Sequence, residues 1–118
     1  MEKIKYTKMI IITRKEKLDV LQETLKREHI QGMTVTQVQG NGQQLGEIKY
    51  EEAGKERLML IPKIMVEVMY TDLDTDRIIE EVCKTLRTNI MGDGKIFVEE
   101  CEGSIVKVRT NEKNKDAV

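Results

Sequence analysis

Leu58-Met59-Leu60-Ile61-Pro62-Lys63-Ile64-Met65-Val66-Glu67-Val68-Met69-Tyr70 is the stretch on which the fold turns. Successive side chains of a strand point to opposite faces, so Ile64, Val66 and Val68 share one face while Met65, Glu67 and Met69 share the other. Both faces therefore carry apolar side chains, and Pro62 marks an edge or a bulge near the start. Downstream, Asp72 and Asp74 offer capping carboxylates to a helix that places Ile78, Ile79, Val82, Cys83 and Leu86 on one face and ends near Arg87. Gly92-Asp93-Gly94 then turns the chain into a strand over residues 95–99, and a short further strand is expected over 104–109. The polar tail over 111–118 is expected to be loose.

Upstream, residues 41–57 contain Gly42, Gly46 and Gly54 and only Leu45, Ile48 and Tyr50 as large apolar side chains, so this segment cannot build a core of its own. Structureless connections of this length inside compact domains are usually functional loops or disordered segments. Before it, residues 33–38 read as a Thr- and Val-rich strand closed by Gly40. Leu18, Leu21 and Leu25 recur at helical spacing over 16–29, with Gln31-Gly32 as the stop. Ile10, Ile11 and Ile12 make residues 8–13 a buried strand. The order strand, helix, strand, strand, helix, strand is the α+β, ferredoxin-like βαββαβ arrangement: an antiparallel sheet with two helices on one face. The other face, with Met65 and Met69, would meet water, so self-association is expected to bury it.

Composition narrows the function. The 118 residues, 35% charged and 39% hydrophobic, suit a single domain spanning 1–118. Twenty Lys and Arg against twenty-one Asp and Glu give a net charge of −1, too little positive excess to neutralise a run of phosphates, so nucleic acid is not an expected partner. With no Trp, one Phe and three Tyr, the rings that stack bases are missing as well. The longest strongly apolar run, from Met9 to Ile12, is far short of the roughly 20 residues that span a bilayer, and residues 1–8 are too charged to open a signal peptide. A soluble, cytoplasmic protein without direct membrane insertion is expected. Cys83 and Cys101 are isolated thiols that imply no disulfide framework, and Cys83 reads as a small buried hydrophobe. His29 and the two cysteines are scattered in no metal-ligand spacing and no hydrolytic triad, and His29 reads as a partly exposed helix-end residue.

The glycines are more informative. In Met91-Gly92-Asp93-Gly94-Lys95 two glycines let backbone N–H groups point inward as an anion nest with a lysine beside it; the same residues also suit an ordinary turn. Gly40-Asn41-Gly42-Gln43-Gln44 is either a second close approach of backbone to a ligand or a hinge. Lys107 and Arg109 would share one face of the last strand, suited to clamping phosphates and equally common as surface charge.

These segments together resemble the PII nitrogen-regulatory signal proteins. Gly32-Met33-Thr34-Val35-Thr36, the Gly40-x-Gly42-x-Gln44-x-Gly46 loop root, Leu60-Ile61-Pro62-Lys63, Gly92-Asp93-Gly94-Lys95-Ile96-Phe97-Val98 and Val108-Arg109-Thr110 stand in that family's order and nearly at its spacing over residues 8–112. The resemblance implies a homotrimer that binds ATP or ADP in clefts between neighbours and, with Mg-ATP, 2-oxoglutarate. The family's T-loop, about residues 41–57 here, then docks on an ammonium channel or a nitrogen-metabolism enzyme. By position, Gly42, Thr88, Gly92, Asp93, Gly94 and Lys95 would line the phosphate site, with Thr34 and Glu67 near the adenine. Lys107 and Arg109 would reach the phosphates across the subunit boundary. Gln44 would help to hold Mg²⁺, and Gln44, Gly46, Lys63 and Arg14 would form the 2-oxoglutarate site. A nucleotide and a dicarboxylate together are highly anionic, so a metal and several cations must share such a site.

The sequence departs from the family at Thr88-Asn89-Ile90-Met91, where Thr-Gly-Lys-Ile is usual, and at Lys107 and Asn111, which replace an arginine and a glycine. Lys107 loses a bidentate fork and Asn111 some backbone freedom. Glu56 and Gly54 occupy the positions of the family's modified tyrosine and serine, so neither modification is expected. The alternative is a PII-like trimeric interaction module with altered or lost nucleotide binding. An enzyme on the same fold is a third reading, for which the sequence offers no candidate base or nucleophile.

Overall fold

The computed structural model describes residues 1–41, 48–50, 56–58 and 60–118. Its elements in chain order are β1 (Ile4–Arg14), α1 (Leu18–Arg27), β2 (Thr34–Gly40), β3 (Ile48–Tyr50), β4 (Glu56–Leu58), β5 (Ile61–Tyr70), α2 (Thr75–Leu86) and β6 (Gly94–Gly103). The main sheet is antiparallel throughout, in the order β2-β5-β1-β6. With both helices on one face, this is the ferredoxin-like βαββαβ fold read from the sequence.

Register explains which side the helices cover. Met9 lies opposite Val68, and Ile11 opposite Val66, so these side chains share a face. All four are buried, together with Leu21, Leu25, Ile78, Val82 and Leu86 from the helices. Burying each such side chain contributes roughly 1.5–3 kcal/mol, which holds the helices to this face. Thr24 and Thr85 join α1 to α2 by a hydroxyl pair 2.7 Å apart. The opposite face carries Ile10, Ile12, Met65, Met69 and Phe97, of which Met69 is 46% and Phe97 49% exposed in the single chain.

Several boundaries differ from the sequence reading. α1 is preceded by a 3-10 turn over Lys15–Lys17 and ends two residues before His29. Its stop is His29 itself, at φ 69°, in place of Gly32. The N–H of Ile30 donates to the Leu25 carbonyl and that of His29 to the Lys26 carbonyl, and Ile30 and Leu25 are both buried. This is a Schellman stop whose apolar contact compensates for the left-handed conformation. Asp74 caps α2 as expected, accepting from the Arg77 N–H at 3.2 Å. Cys83 is half-buried and both thiols are free.

Pro62 sits where β5 has outrun β1: it faces Gln39 of β2, while the β1 pairing stops at Lys63. The strand has one neighbour there, so a missing N–H is tolerated although β5 is otherwise interior. Residues 41–57 are not wholly structureless: Ile48–Tyr50 runs antiparallel to Glu56–Leu58 as a short ladder. β6 runs on to Gly103 because its register with β1 continues to Ile4. The expected strand over 104–109 does not form. Residues 106–113 make a turn instead, in which the Asn111 N–H donates to the Lys107 carbonyl and the Lys107 N–H to the Glu112 carbonyl. The tail is tied back at its start, where the Asn114 N–H donates to the Ile105 carbonyl, rather than loose from residue 111.

Candidate functional site

β1 ends, β5 begins and β6 begins at one end of the sheet, and the sequence places Arg14, Lys63 and residues 88–94 there. Asp93 organises the loop. Its carboxylate accepts from the Thr88 N–H at 2.8 Å and, closer still, from the Thr88 hydroxyl. Arg14 Nε stands 3.6 Å away. The Thr88 backbone and hydroxyl bonds hold the Asp93 carboxyl below the usual carboxylate range; burial opposes them, and the nearby Arg14 adds a lesser lowering.

Two cations close over the same loop. Arg14 Nη2 donates to the Met91 carbonyl at 2.7 Å and Lys63 Nζ to the Gly92 carbonyl at 2.6 Å. Burial, and next the nearby Arg14 charge, push the Lys63 ammonium below its ordinary value of 10.5, while Asp93 and Glu16 pull the other way. The loop's backbone is correspondingly unusual: Asn89 at φ 65°, Gly92 at 101° and Gly94 at 115° all occupy the left-handed side. The buried Thr13 hydroxyl donates to the Asp93 carbonyl at 2.7 Å. Sequence reasoning missed Thr13. The available signal was its helix-side position after Met9 and Ile11, where a buried hydroxyl needs a partner.

Thr34 and Glu67 face one another across β2 and β5, on the same outer sheet face as Lys63 and Arg14. Lys63 and Glu67 are four residues apart, about 13 Å of strand. Thr34 and Glu67 line a cleft of about 550 Å³ with His29, Met33, Ile105 and Lys115. Lys8 lies 4.0 Å from the Glu67 carboxylate. Lys95, opposite Ile12, projects on that outer face and is exposed.

Arg14, Lys63, Thr88, Gly92, Asp93 and Gly94 are thus gathered at one end. Lys107 and Arg109 are not. They lie beyond the other end of β6, roughly 30 Å of strand from Gly94, on a turn rather than on a strand face, and both are exposed. Gly42, Gln44 and Gly46 lie outside the described residues. Among the described residues no cluster of three or more His, Cys, Asp or Glu is gathered, and no helix is long and apolar enough to cross a membrane.

Two helices on one face of an antiparallel sheet, with Arg14, Lys63 and the left-handed backbone of residues 89–94 gathered at one end of that sheet, define a small ferredoxin-like α+β domain. Residues 6–112 match the family model described as Nitrogen regulatory protein P-II, and the chain belongs to that family. It is 37% identical over 110 residues to Nitrogen regulatory protein P-II 2 of Methanothermobacter thermautotrophicus, covering 93% of this chain and 95% of that one. B. subtilis GlnK superposes with a TM-score of 0.78 at 26% identity, covering 98% of this chain and all of that one. Arabidopsis thaliana PII, solved bound to citrate, gives a TM-score of 0.75 at 26% identity, covering 97% and 92%. The role that follows is regulatory signal transduction, not catalysis.

Proposed function

We propose that the protein senses ATP or ADP together with 2-oxoglutarate in clefts between the subunits of a homotrimer and reports the result through residues 41–57. The output is received by an ammonium channel or a nitrogen-metabolism enzyme. The observation that carries this reading is the convergence of Arg14 and Lys63 on the Met91 and Gly92 carbonyls, on the sheet face shared with Thr34 and Glu67. An extended nucleotide laid along β5 would put its base by Thr34 and Glu67 and its phosphates by Gly92, Asp93, Gly94, Lys95 and Thr88. Citrate, held by the Arabidopsis relative, is a polycarboxylate of the same chemical class as 2-oxoglutarate.

The uncovered face with Met69 and Phe97 supports the trimer, since burying it removes half-exposed apolar side chains from water. Lys107 and Arg109 then act from a neighbouring subunit, because within one chain they stand at the wrong end of β6. Both Asp93 oxygens are engaged by Thr88, with Arg14 close by, so that carboxylate does not suit Mg²⁺. In this reading the metal is held by ligand oxygens and Gln44, and the acid by Arg14, Lys63, Gln44 and Gly46. The metal would join phosphate and carboxylate oxygens and offset their repulsion.

A second reading, a trimeric interaction module with altered nucleotide binding, is favoured by one observation: Ile90 and Met91 present apolar side chains, 52% and 51% exposed, beside the cations. Titration calorimetry separates the two. Binding of ATP and ADP, with 2-oxoglutarate bound only alongside Mg-ATP, supports the sensor. No detectable heat with any nucleotide at millimolar concentration overturns it in favour of the module, and a solution mass of one chain overturns both.

A pH profile tests Lys63. Its folded-state value lies below 10.5, so between the lowered value and 10.5 the unfolded chain binds more protons, and stability rises with pH across that window through this group. A bound carboxylate favours the charged lysine, so 2-oxoglutarate affinity is expected to fall as pH rises through the lowered value, earlier than an ordinary lysine would dictate. Lys63→Arg should flatten the profile, since arginine keeps its charge. A wild-type affinity that stays constant up to 10.5 contradicts the assignment.

A further inference from the structure

We propose that Asn114 is a positioning residue for Lys107 and Arg109, closing the base of the turn that carries them. The inference rests on the reading that those two cations meet the nucleotide's phosphates. Its own basis is separate. Asn114 makes a reciprocal pair of bonds with Ile105: its N–H donates to the Ile105 carbonyl at 2.8 Å, and its side-chain Oδ1 accepts from the Ile105 N–H at 3.2 Å. Between these residues Val106 bridges Lys113, the Lys107 N–H donates to the Glu112 carbonyl at 2.9 Å, and the Asn111 N–H to the Lys107 carbonyl at 2.8 Å.

The turn is thus a closed ring of backbone bonds with Asn114 as its clasp. Val108 at its tip is 97% exposed, so that side chain contributes little packing to the turn in the single chain. The Lys115–Asp72 pair behind the clasp joins two side chains that are each 70% exposed, an arrangement worth little. Two asparagines hold left-handed backbone here, Asn111 at φ 58° and Asn114 at φ 57°, and asparagine tolerates that region better than other non-glycine residues. At 114 the same side chain also supplies the acceptor, so one residue provides both the backbone conformation and the bond. Asn114 lies just outside the family-matched stretch of residues 6–112.

A cation aims at a phosphate only if its backbone is held. Without the clasp, the turn bearing Lys107 and Arg109 samples more conformations, and the nucleotide must order it on binding. Asn114→Ala removes the acceptor and disfavours φ 57°; nucleotide affinity is expected to fall about fivefold to tenfold, the scale of one or two lost hydrogen bonds. Asn114→Asp keeps an acceptor and tolerates the conformation, and should restore most of the affinity. Asn114→Gly keeps only the backbone freedom and should fall between.

The deciding measurement is a double-mutant cycle read by calorimetry with ATP on the full chain. If Asn114 acts through Lys107 and Arg109, the Asn114→Ala effect disappears in a Lys107→Ala/Arg109→Ala background, whereas a general loss of structure adds to it. Equal loss in both backgrounds, or wild-type affinity in Asn114→Ala, overturns the positioning role while leaving nucleotide sensing intact. If wild-type protein binds no nucleotide, the sensing reading itself has failed. In that case the clasp is judged by amide exchange at Lys107 and Asn111: unchanged protection in Asn114→Ala overturns it, and faster exchange retains it as the closure of the turn.

Discussion

Gly94→Ala is expected to be the most damaging single substitution, costing about 3–5 kcal/mol of stability. A Cβ there would stand 1.9 Å from the Ile12 carbonyl oxygen, 2.9 Å from its carbon and 3.0 Å from the Thr13 Cα. These are backbone atoms of β1, the strand against which Gly94 pairs, so relief requires breaking the β1–β6 register at its first pair. The φ of +115° adds strain that no L side chain accepts easily. Gly103, at the other end of the same strand, is the control. A Cβ there would meet only the Tyr6 ring, at 3.6 Å and beyond, an ordinary contact. Gly103→Ala should therefore be neutral or stabilising by up to about 1 kcal/mol, through the unfolded chain. Urea unfolding of the three proteins checks this, and a Gly94→Ala midpoint equal to wild type would show that the loop's approach to β1 is not as close as described.

Asp93→Ala is expected to have the largest effect on ligand binding. It removes two charge-assisted bonds to Thr88 and the neighbour of Arg14, leaving Arg14 and Lys63 to repel each other beneath a loop that has lost its internal tie. A stability loss of about 2–3 kcal/mol follows from bonds of this type. Under the proposed function, nucleotide affinity should drop at least about 30-fold, because the Gly92 to Gly94 backbone is no longer held. Asp93→Asn keeps an acceptor for Thr88 and should lose less. The two also test whether repulsion between the carboxylate and an anionic ligand outweighs the carboxylate's ordering of the loop: if it does, both variants bind nucleotide more tightly than wild type, the opposite of what is expected.

The same group sets an acid limit. Asp93 has a folded-state value below 3.8, so its contribution is fully present above that ordinary value and is lost only as pH falls through the lowered one. The stability gap between wild type and Asp93→Asn should therefore be constant from about pH 5 to about pH 8 and should close in stronger acid. A gap that already narrows near neutrality would assign the ordering of the loop to another group.

Much of the fold was legible because burial leaves a periodic trace along the chain. The alternation through Ile64, Val66 and Val68 and the helical recurrence of Leu18, Leu21 and Leu25 each report one residue's environment, and element order then restricts the topology to very few choices. The candidate site was legible in composition, as glycines and cations, but not in its wiring. Arg14 reaches Met91 across 77 positions and Thr13 reaches Asp93 across 80, and no local pattern encodes such partners.

Where the reading failed, a bond partner rather than a propensity decided the outcome. Gly32 suited a helix stop, yet His29 takes the left-handed position because Ile30 can then bury against Leu25. Residues 104–109 suited a strand, yet β6 is an edge with no free neighbour beyond Gly103, and Asn114 closes a turn there instead. The amino-acid order alone determined the order of the main βαββαβ elements and the family, because side-chain periodicity and motif spacing are written residue by residue. The convergence of Arg14, Lys63 and Asp93, and the separation of Lys107 and Arg109 from them, was decided only by tertiary structure, because strand register and hydrogen-bond pairing exist only once distant segments meet.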